Sequence, residues 1–236
     1  MTSSPRALLF DVYGTLVDWR SSLARDVTRL LTLRGVAGPD AGEFVDAWRS
    51  LYLPSLAMVR SRERPFVLLD VLHRENLDVV LDQYSISGLT EDDRSWLADA
   101  WARLEPWPDV LPGFERLRRR ALLAALSNGS VAMMARLALY ADLRWHAILG
   151  AQPAGAYKPD PEVYLTAAKW LDLAPEDCMI VASHATDVRV ADELGLRSAY
   201  VRRPREFGPD VPAEEVPATS TLIVDGLNEL ADHLEA

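Results

Sequence analysis

Short runs of consecutive apolar residues recur along the chain, at residues 7–10, 121–126, 179–182, 198–201 and 221–224. An apolar run of this length, without polar alternation, is typical of a strand buried on both faces of a sheet. Most of the intervals between the later runs carry apolar residues at helical spacing, over 131–140, 161–171 and 187–194. Strands that alternate with helices predict an α/β fold, a doubly wound, Rossmann-like parallel sheet with helices on both sides.

A different pattern fills the interval between the first two runs. Residues 16–106 contain no convincing strand, and helical spacing rich in leucine and tryptophan recurs over 22–33, 43–58, 66–76 and 91–104. We therefore expect a core of residues 1–16 and 106–236 and a helical cap domain of residues 17–105. An insertion after the first strand of such a sheet lies over the carboxyl ends of the strands, where ligands bind.

Composition and charge narrow the classes of partner. The 236 residues include 25 Lys and Arg against 35 Asp and Glu, a net charge of −10, which disfavours nucleic acid and anionic membranes as partners. No apolar run approaches the ~20 residues that span a membrane, and the N-terminal run, interrupted by Asp11, is too short for a signal peptide. Cys178, the single cysteine, lies in an apolar run that favours a buried thiol over a nucleophile. We expect a cytoplasmic protein with a small-molecule ligand.

Polar stretches follow or flank the predicted core strands at residues 10–15 (FDVYGT), 126–130 (LSNGS), 157–161 (YKPDP) and 182–187 (ASHATD). A carboxylate that ends a strand and precedes a glycine turn, as Asp11 does, faces the cleft and can act as a nucleophile. Each stretch alone is a weak signal, because a structural turn, a common loop or a surface lysine explains it as well. The four stretches occur in this order on an α/β pattern with an early helical insertion, and together they are a strong signal of a functional site.

In these stretches the sequence resembles the haloacid dehalogenase superfamily over essentially the whole chain, and within it the L-2-haloacid dehalogenase (type II) branch. Phosphatases of the superfamily carry a second aspartate two residues after the nucleophile, as an acid for the leaving alcohol. Here Tyr13 holds that position, and tyrosine is a poor acid at neutral pH. Those phosphatases also hold Mg²⁺ through acidic residues of the last stretch, where this chain has only Asp187. The resemblance implies carbon–halogen cleavage without metal or other cofactor, with Lys158 neutralising Asp11.

The resemblance also implies the catalytic roles. Asp11 displaces halide from Cα of a short (S)-2-haloalkanoate and forms an ester, which water hydrolyses to a 2-hydroxyacid. Asp187 activates or positions that water, Lys158 balances the charge, and Thr15 orients Asp11.

The substrate-binding residues implied by the resemblance come from both parts of the chain. Ser127 and Asn128 hold the substrate carboxylate. Arg49 binds the halide ion, with a solvated helix face as the alternative reading of that arginine. Tyr164 supports the lysine, although plain helix packing explains it nearly as well. The alkyl pocket is assigned to Tyr13, Leu53 and Phe66.

The chain departs from the family pattern in its last stretch. Many members carry Ser-Ser-Asn where this chain has Ala182-Ser183-His184, and a tryptophan where it has Thr186. Ser183 and His184 are kept as catalytic candidates, and His184 either donates to the halide or ester carbonyl or satisfies loop backbone groups. Thr186 implies a differently shaped pocket and is placed to cap the following helix. His73, at the edge of a predicted helix, is expected to be structural.

Two rival functions stay open, a Mg²⁺-dependent phosphohydrolase of the same superfamily and a catalytically silent protein that binds a small anion. The missing second aspartate argues against the first. The presence of Asp11, Lys158 and Asp187 together argues against the second, because clusters of ionisable groups are typical of functional sites. Related enzymes are often homodimers, and an interface on the cap side would involve the tryptophans at positions 48, 96 and 101.

Overall fold

The computed structural model describes residues 4–209, 211–212, 215 and 222–235. The strands are β1 (Ala7–Phe10), β2 (Val17–Asp18), β3 (Glu105–Pro106), β4 (Leu122–Ser127), β5 (Ala147–Gly150), β6 (Cys178–Ala182), β7 (Arg197–Val201) and β8 (Leu222–Val224). The helices are α1 (Trp19–Arg34), α2 (Ala41–Ser50), α3 (Tyr52–Arg60), α4 (Leu69–Gln83), α5 (Glu91–Ala98), α6 (Val110–Leu117), α7 (Val131–Tyr140), α8 (Ala151–Ala154), α9 (Pro161–Trp170), α10 (Ala185–Glu193) and α11 (Leu227–Glu235). Single 3₁₀ turns lie at Asp99–Ala102 and Pro175–Asp177.

The main sheet has the strand order β5-β4-β1-β6-β7-β8, and every pairing in it is parallel. In the two ladders of the first strand, Phe10 lies opposite Ala125 of β4 and Val181 of β6. The loops after β1, β4 and β6 therefore meet at one edge of the sheet. The predicted α/β fold with a doubly wound parallel sheet is confirmed.

Alternate residues of the buried strands pack on opposite faces of the sheet, as the period of two in a strand requires. Leu8 and Phe10 belong to the larger apolar cluster, in which the Phe10 ring lies 5.1 Å from that of Phe114. Leu9 and Ile180 face the other side, where α9 covers them. Both faces of the sheet are buried, which explains why these strands are apolar without alternation.

Helices α1 to α5 form a helical layer between β2 and β3, and its buried residues continue the larger cluster of the sheet. Trp19 stacks on Trp101 with 6.3 Å between the ring centroids, and Trp48 contacts Trp101 edge to face. Trp48 and Trp101 are each only 1% exposed within the chain. They pack in the core of this layer, so the suggestion that these two lie in a dimer interface is wrong, whereas Trp96 is half-buried and for it the suggestion stays a prediction.

Three local expectations differ from the structure. The predicted helix over 43–58 is two helices, because Pro54 lacks an N–H and its ring clashes with the carbonyl four residues back, at Ser50, where α2 ends. The interval 16–106 does contain strands, since β2 pairs antiparallel with β3 and joins the two ends of the helical layer. The edge strand β5 was not predicted, because it is short and only half of its residues are buried.

No helix in the described part of the chain is both long and apolar enough to cross a bilayer. The expected homodimer and the cytoplasmic location stay predictions. Cys178 is buried in β6, and burial raises the pKa of its thiol to about 11, which agrees with a structural rather than a nucleophilic role.

Candidate active site

Asp11 follows the last residue of β1, and the residue is 7% exposed. Its backbone N–H donates to the carbonyl of Val181, which continues the β1–β6 ladder by one residue. Gly14 then takes φ +85°, a left-handed conformation that favours glycine, and reverses the chain. The turn brings Thr15 back, so that its Oγ1 donates to Asp11 Oδ2 at 2.6 Å. Thr15 therefore orients the carboxylate.

Lys158 lies between two carboxylates and is 8% exposed. Its Nζ donates to Asp11 Oδ1 at 2.6 Å and to Asp187 Oδ2 at 2.8 Å. Burial alone would lower the pKa of Lys158, but the charges of the two carboxylates outweigh it and hold that pKa above its ordinary value. The ammonium is thus charged at neutral pH and neutralises one of the two negative charges beside it.

Asp187 lies in the first turn of α10 and is 5% exposed. The hydroxyl of Tyr164, on α9, donates to Asp187 Oδ1, while Lys158 occupies Oδ2. Tyr164 therefore contacts the site through Asp187 and also packs in the apolar cluster of that face. The expected support of Lys158 by this tyrosine is therefore indirect, through Asp187, and the alternative of plain helix packing is present as well.

The end of β6 supplies the groups behind Asp11. Ala182 is the buried last residue of β6, and the backbone N–H of Ser183 donates to Thr15 Oγ1 at 2.8 Å. His184 follows, with Nδ1 3.2 Å from Asp11 Oδ2. His184 is also the residue before α10, and Thr186 lies inside the first turn, so the expected capping role of Thr186 is wrong.

Glu206, after β7, completes this group and was missed in the sequence. It is 3% exposed and lies 2.9 Å from His184 Nε2 through Oε1, while Ser183 Oγ donates to Oε2 at 3.1 Å. Burial would lower the pKa of His184, but Glu206 and Asp11 raise that pKa well above its ordinary value. Burial would raise the pKa of Asp11, and Lys158 and His184 together hold it well below its usual range. The one available signal for Glu206 in the sequence was its place five residues past Val201, the last residue of β7.

Ser127 and Asn128 leave the end of β4 and face the same edge. Asn128 Oδ1 accepts from the Lys158 backbone N–H at 2.8 Å, and its Nδ2 donates to the Tyr52 hydroxyl at 2.8 Å. Ser127 Oγ accepts from the backbone N–H of Gly129 at 3.1 Å. The amide of Asn128 is therefore fixed from both sides, and the Ser127 hydroxyl retains a proton for a ligand.

A cavity of about 790 Å³ lies between the sheet edge and the helical layer. Arg49 lines it, with the guanidinium carbon 4.0 Å from the centre of the Tyr52 ring and 5.5 Å from that of Trp19. Leu53 lines its rim and is 69% exposed. Phe66 is not among the lining residues and packs on Tyr157 at 5.2 Å. The lining also includes Asp11, Tyr13, Ser127, Asn128, Lys158, His184, Thr186 and Asp187.

Two aromatic positions define the apolar wall. Tyr13 donates to the sulfur of Met133 at 2.8 Å, and burial raises its pKa well above the ordinary value, so this phenol is a still weaker acid than free tyrosine. His73 is 2% exposed, lines the cavity and stacks on Trp101 at 4.0 Å. Burial lowers the pKa of His73 well below its ordinary value, and its Nε2 makes no hydrogen bond within the described part of the chain. Its neutral ring forms part of the aromatic packing.

A cation could be considered at this site, because Asp11, His184 and Asp187 offer ligand atoms within 4.8 Å of one another. The ammonium of Lys158, however, already contacts both carboxylates at hydrogen-bond distance. A divalent ion bound to both carboxylates would meet this charge at close range, so the donor set fits a metal poorly.

The comparisons with known proteins agree with the geometry. Residues 5–195 match the family model described as haloacid dehalogenase-like hydrolase. An (S)-2-haloacid dehalogenase of Pseudomonas sp. (strain YL) is 31% identical over 202 residues, 84% of this chain and 83% of the relative. Phosphoglycolate phosphatase 1 of Pseudomonas aeruginosa is 28% identical over 235 residues, 97% of this chain and 79% of the relative.

Two solved structures are similar along almost the whole chain. A crystal structure of an L-2-haloacid dehalogenase is 40% identical with a TM-score of 0.92, and covers 98% of this chain and 99% of that one. A crystal structure of a defluorinating L-2-haloacid dehalogenase is 36% identical with a TM-score of 0.95, and covers 98% of this chain and 96% of that one. The resemblance inferred from the sequence is confirmed, and the chain belongs to the family of haloacid dehalogenase-like hydrolases.

Proposed function

We propose that the protein hydrolyses short (S)-2-haloalkanoic acids to 2-hydroxyacids without a metal, through an ester on Asp11. The observation that carries the proposal is the buried Asp11 carboxylate, held ionised by Lys158 at 2.6 Å, while the neighbouring carboxylate of Asp187 is bound by the same lysine. Tyr13 stands where an acid for a leaving alcohol would be needed. Halide leaves without a proton, so carbon–halogen cleavage fits these groups.

The first step is displacement at Cα of the substrate. Asp11 Oδ2 accepts from Thr15 and faces His184 Nδ1, whereas the hydrogen-bond partner of Oδ1 among the residues that the structure describes is Lys158. Oδ1 therefore has the freer lone pair, and we assign it the attack on carbon. The new C–O bond forms as the carbon–halogen bond breaks, with inversion, and the halide departs with both electrons toward Arg49.

The second step is hydrolysis of the ester. Water attacks the carboxyl carbon of Asp11, and its proton passes to Asp187. The bond from that carbon to Oδ1 breaks, and the departing alkoxide takes a proton from Lys158, which hydrogen-bonds Oδ1. Asp187 returns the water proton to Lys158 across 2.8 Å. The Asp11 carboxyl group then loses the second water proton to solvent, so that a free carboxylate and a 2-hydroxyacid result, with one water oxygen retained in Asp11.

The substrate anion is held at the opposite side of the cavity. The hydroxyl of Ser127, the backbone after it and the anchored Asn128 receive the carboxylate. Arg49, stacked on Tyr52, supplies positive charge for the halide. Residues 17–105 act in this proposal as a cap over a core of residues 1–16 and 106–236, because Arg49 and Tyr52 come from the helical layer and the nucleophile from the sheet.

The test is halide release from racemic 2-chloropropionate in the presence of EDTA, with identification of the enantiomer that remains. We expect chloride release and unreacted (R)-acid. The similarity to a defluorinating enzyme makes fluoroacetate an informative further substrate. The rival phosphohydrolase, to which a phosphatase relative also points, predicts Mg²⁺-dependent phosphate release and no halide; that result would overturn the proposal.

A further inference from the structure

Glu206 is a buried carboxylate that the steps above do not use. Its oxygens receive hydrogen bonds from Trp19 Nε1 at 3.3 Å and Ser183 Oγ at 3.1 Å, and Oε1 lies 2.9 Å from His184 Nε2. Gly14 packs so closely that a Cβ there would lie 2.0 Å from Glu206 Oε1. Glu206 is thus a buried acid surrounded by hydrogen-bond donors, and it packs against the turn that orients the nucleophile. This placement suggests that it has a function in the site.

The two ring nitrogens of His184 face two carboxylates. Nδ1 lies 3.2 Å from Asp11 Oδ2 and Nε2 lies 2.9 Å from Glu206 Oε1. A carboxylate only accepts hydrogen bonds, and a neutral imidazole has a single N–H. Both contacts are therefore satisfied together only by the imidazolium form, with one N–H donated to each acid.

We infer that Glu206 is a positioning residue, which holds His184 as an imidazolium with its Nδ1–H on Asp11 Oδ2. The inference rests on the proposed function and deepens it. When Oδ1 carries the ester, Oδ2 is the carbonyl oxygen, and negative charge develops on it as water attacks. His184 and Thr15 then form an oxyanion hole, in which one donor carries a full positive charge.

Glu206 supports both donors. It contacts His184 directly, and it accepts from Ser183 Oγ, which lies 3.0 Å from Thr15 Oγ1. Since the Thr15 hydroxyl proton is given to Asp11 and the Ser183 hydroxyl proton to Glu206, Thr15 Oγ1 accepts from the backbone N–H of Ser183. Glu206 thus contacts one donor of Asp11 Oδ2 directly and fixes the side chain of Ser183, whose backbone holds the other donor.

The charges around His184 favour its protonated form. Asp11 faces it from the end of β1 and Glu206 from the loop after β7, while Asp187 lies on its own helix. Lys158 is engaged by both aspartates, and Asp46 and Arg49 line the cavity from the helical layer. Burial would lower the pKa of His184, but the charges of Glu206 and Asp11 outweigh burial and hold that pKa well above its ordinary value.

The first measurement needs no substrate. The chain has four histidines, so the His184 ring signals can be assigned by their loss in His184→Asn and titrated by NMR. We expect the His184 pKa to lie well above the ordinary value in the unaltered protein and to fall toward it in Glu206→Gln. An unchanged His184 pKa in a folded Glu206→Gln protein would overturn the inference.

The second measurement separates the two chemical steps. In a single turnover with (S)-2-chloropropionate, mass spectrometry follows the ester on Asp11 while chloride release is recorded. We expect Glu206→Gln to slow ester loss on the order of tenfold or more, with a smaller effect on chloride release, and to move the alkaline limit of ester loss to lower pH. In a His184→Asn background, Glu206→Gln should cause little additional slowing.

Asp26→Asn is the matched control, since Asp26 is also a buried carboxylate (3% exposed) but pairs with Arg25 and Arg103 outside the cavity. It should leave the His184 pKa unchanged.

If Glu206→Gln does not fold, Glu206→Asp keeps the charge and should give an intermediate His184 pKa and ester lifetime; values equal to those of the unaltered protein would overturn the inference. If the unaltered protein releases no halide, the proposed function fails, and the NMR titration still reports separately on the pair.

Discussion

The hydroxyl of Tyr52 accepts a hydrogen bond of 2.8 Å from the side-chain amide of Asn128, which joins the helical layer to the end of a core strand. The same tyrosine ring carries the Arg49 guanidinium on its face at 4.0 Å. One residue therefore links the proposed carboxylate site to the proposed halide site. Neither contact was expected from the sequence.

Tyr52→Phe tests this link. It keeps the ring that stacks on Arg49 and removes the acceptor for Asn128, so we expect KM for 2-chloropropionate to rise about threefold to tenfold, as one hydrogen bond is lost, with a smaller change in kcat. Steady-state kinetics provide the measurement. Tyr84→Phe, outside the cavity, is the control; equal effects of the two substitutions would argue against a role for the Tyr52 hydroxyl.

Asp11→Asn should abolish turnover while the protein remains folded. The amide is nearly isosteric but is a poor nucleophile, and no ester forms. Halide release and circular dichroism together provide the measurement. Normal activity in the purified variant would remove Asp11 from its proposed role.

The same substitution changes the dependence of stability on pH. The folded-state pKa of Asp11 is held well below the unfolded value of about 4. Its contribution to the free energy of unfolding is therefore fully present above that unfolded value and is lost as the pH falls further. Urea unfolding at pH 6 and pH 3 should show a larger loss of stability for the unaltered protein than for Asp11→Asn, and parallel losses would contradict the assignment.

Lys158→Met should damage both activity and stability. It leaves Asp11 and Asp187 buried without their shared cation, and breaking a buried pair from one side costs about 3–5 kcal/mol. We expect a lower urea midpoint at neutral pH and loss of halide release. Lys169→Met, at an exposed position of α9, is the control and should change neither.

Arg49→Lys tests the halide site. Lysine keeps the charge but cannot present a planar cation to both Tyr52 and Trp19. We expect kcat/KM to fall at least about tenfold, the loss of roughly one stacked cation contact when desolvated. Arg144→Lys, in an exposed pair with Asp142, should have no such effect. An unchanged kcat/KM in Arg49→Lys would support the alternative that Arg49 belongs to a solvated helix face and does not bind halide.

The sheet and the nucleophile region could be predicted because buried parallel strands have a simple signature and because Asp11, Ser127 and His184 lie at or just past the carboxyl ends of such strands. The residues that the sequence did not reveal are held by tertiary contacts. Glu206 is recognisable only once β7 places it behind His184. Phe66 has the right composition for a pocket, but the packing of the helical layer directs it to Tyr157 instead.

The central position of β1 in the sheet affects how the protein is made. This strand leaves the ribosome before the other strands of the sheet, because its two neighbours begin only at Leu122 and Cys178. Until they are synthesised, an apolar strand with unpaired backbone groups has no native partner. Such long-range pairing slows folding and exposes the nascent chain to aggregation. Asp11 is therefore translated before both strands that flank it in the sheet, and it reaches its final surroundings only after they have been made.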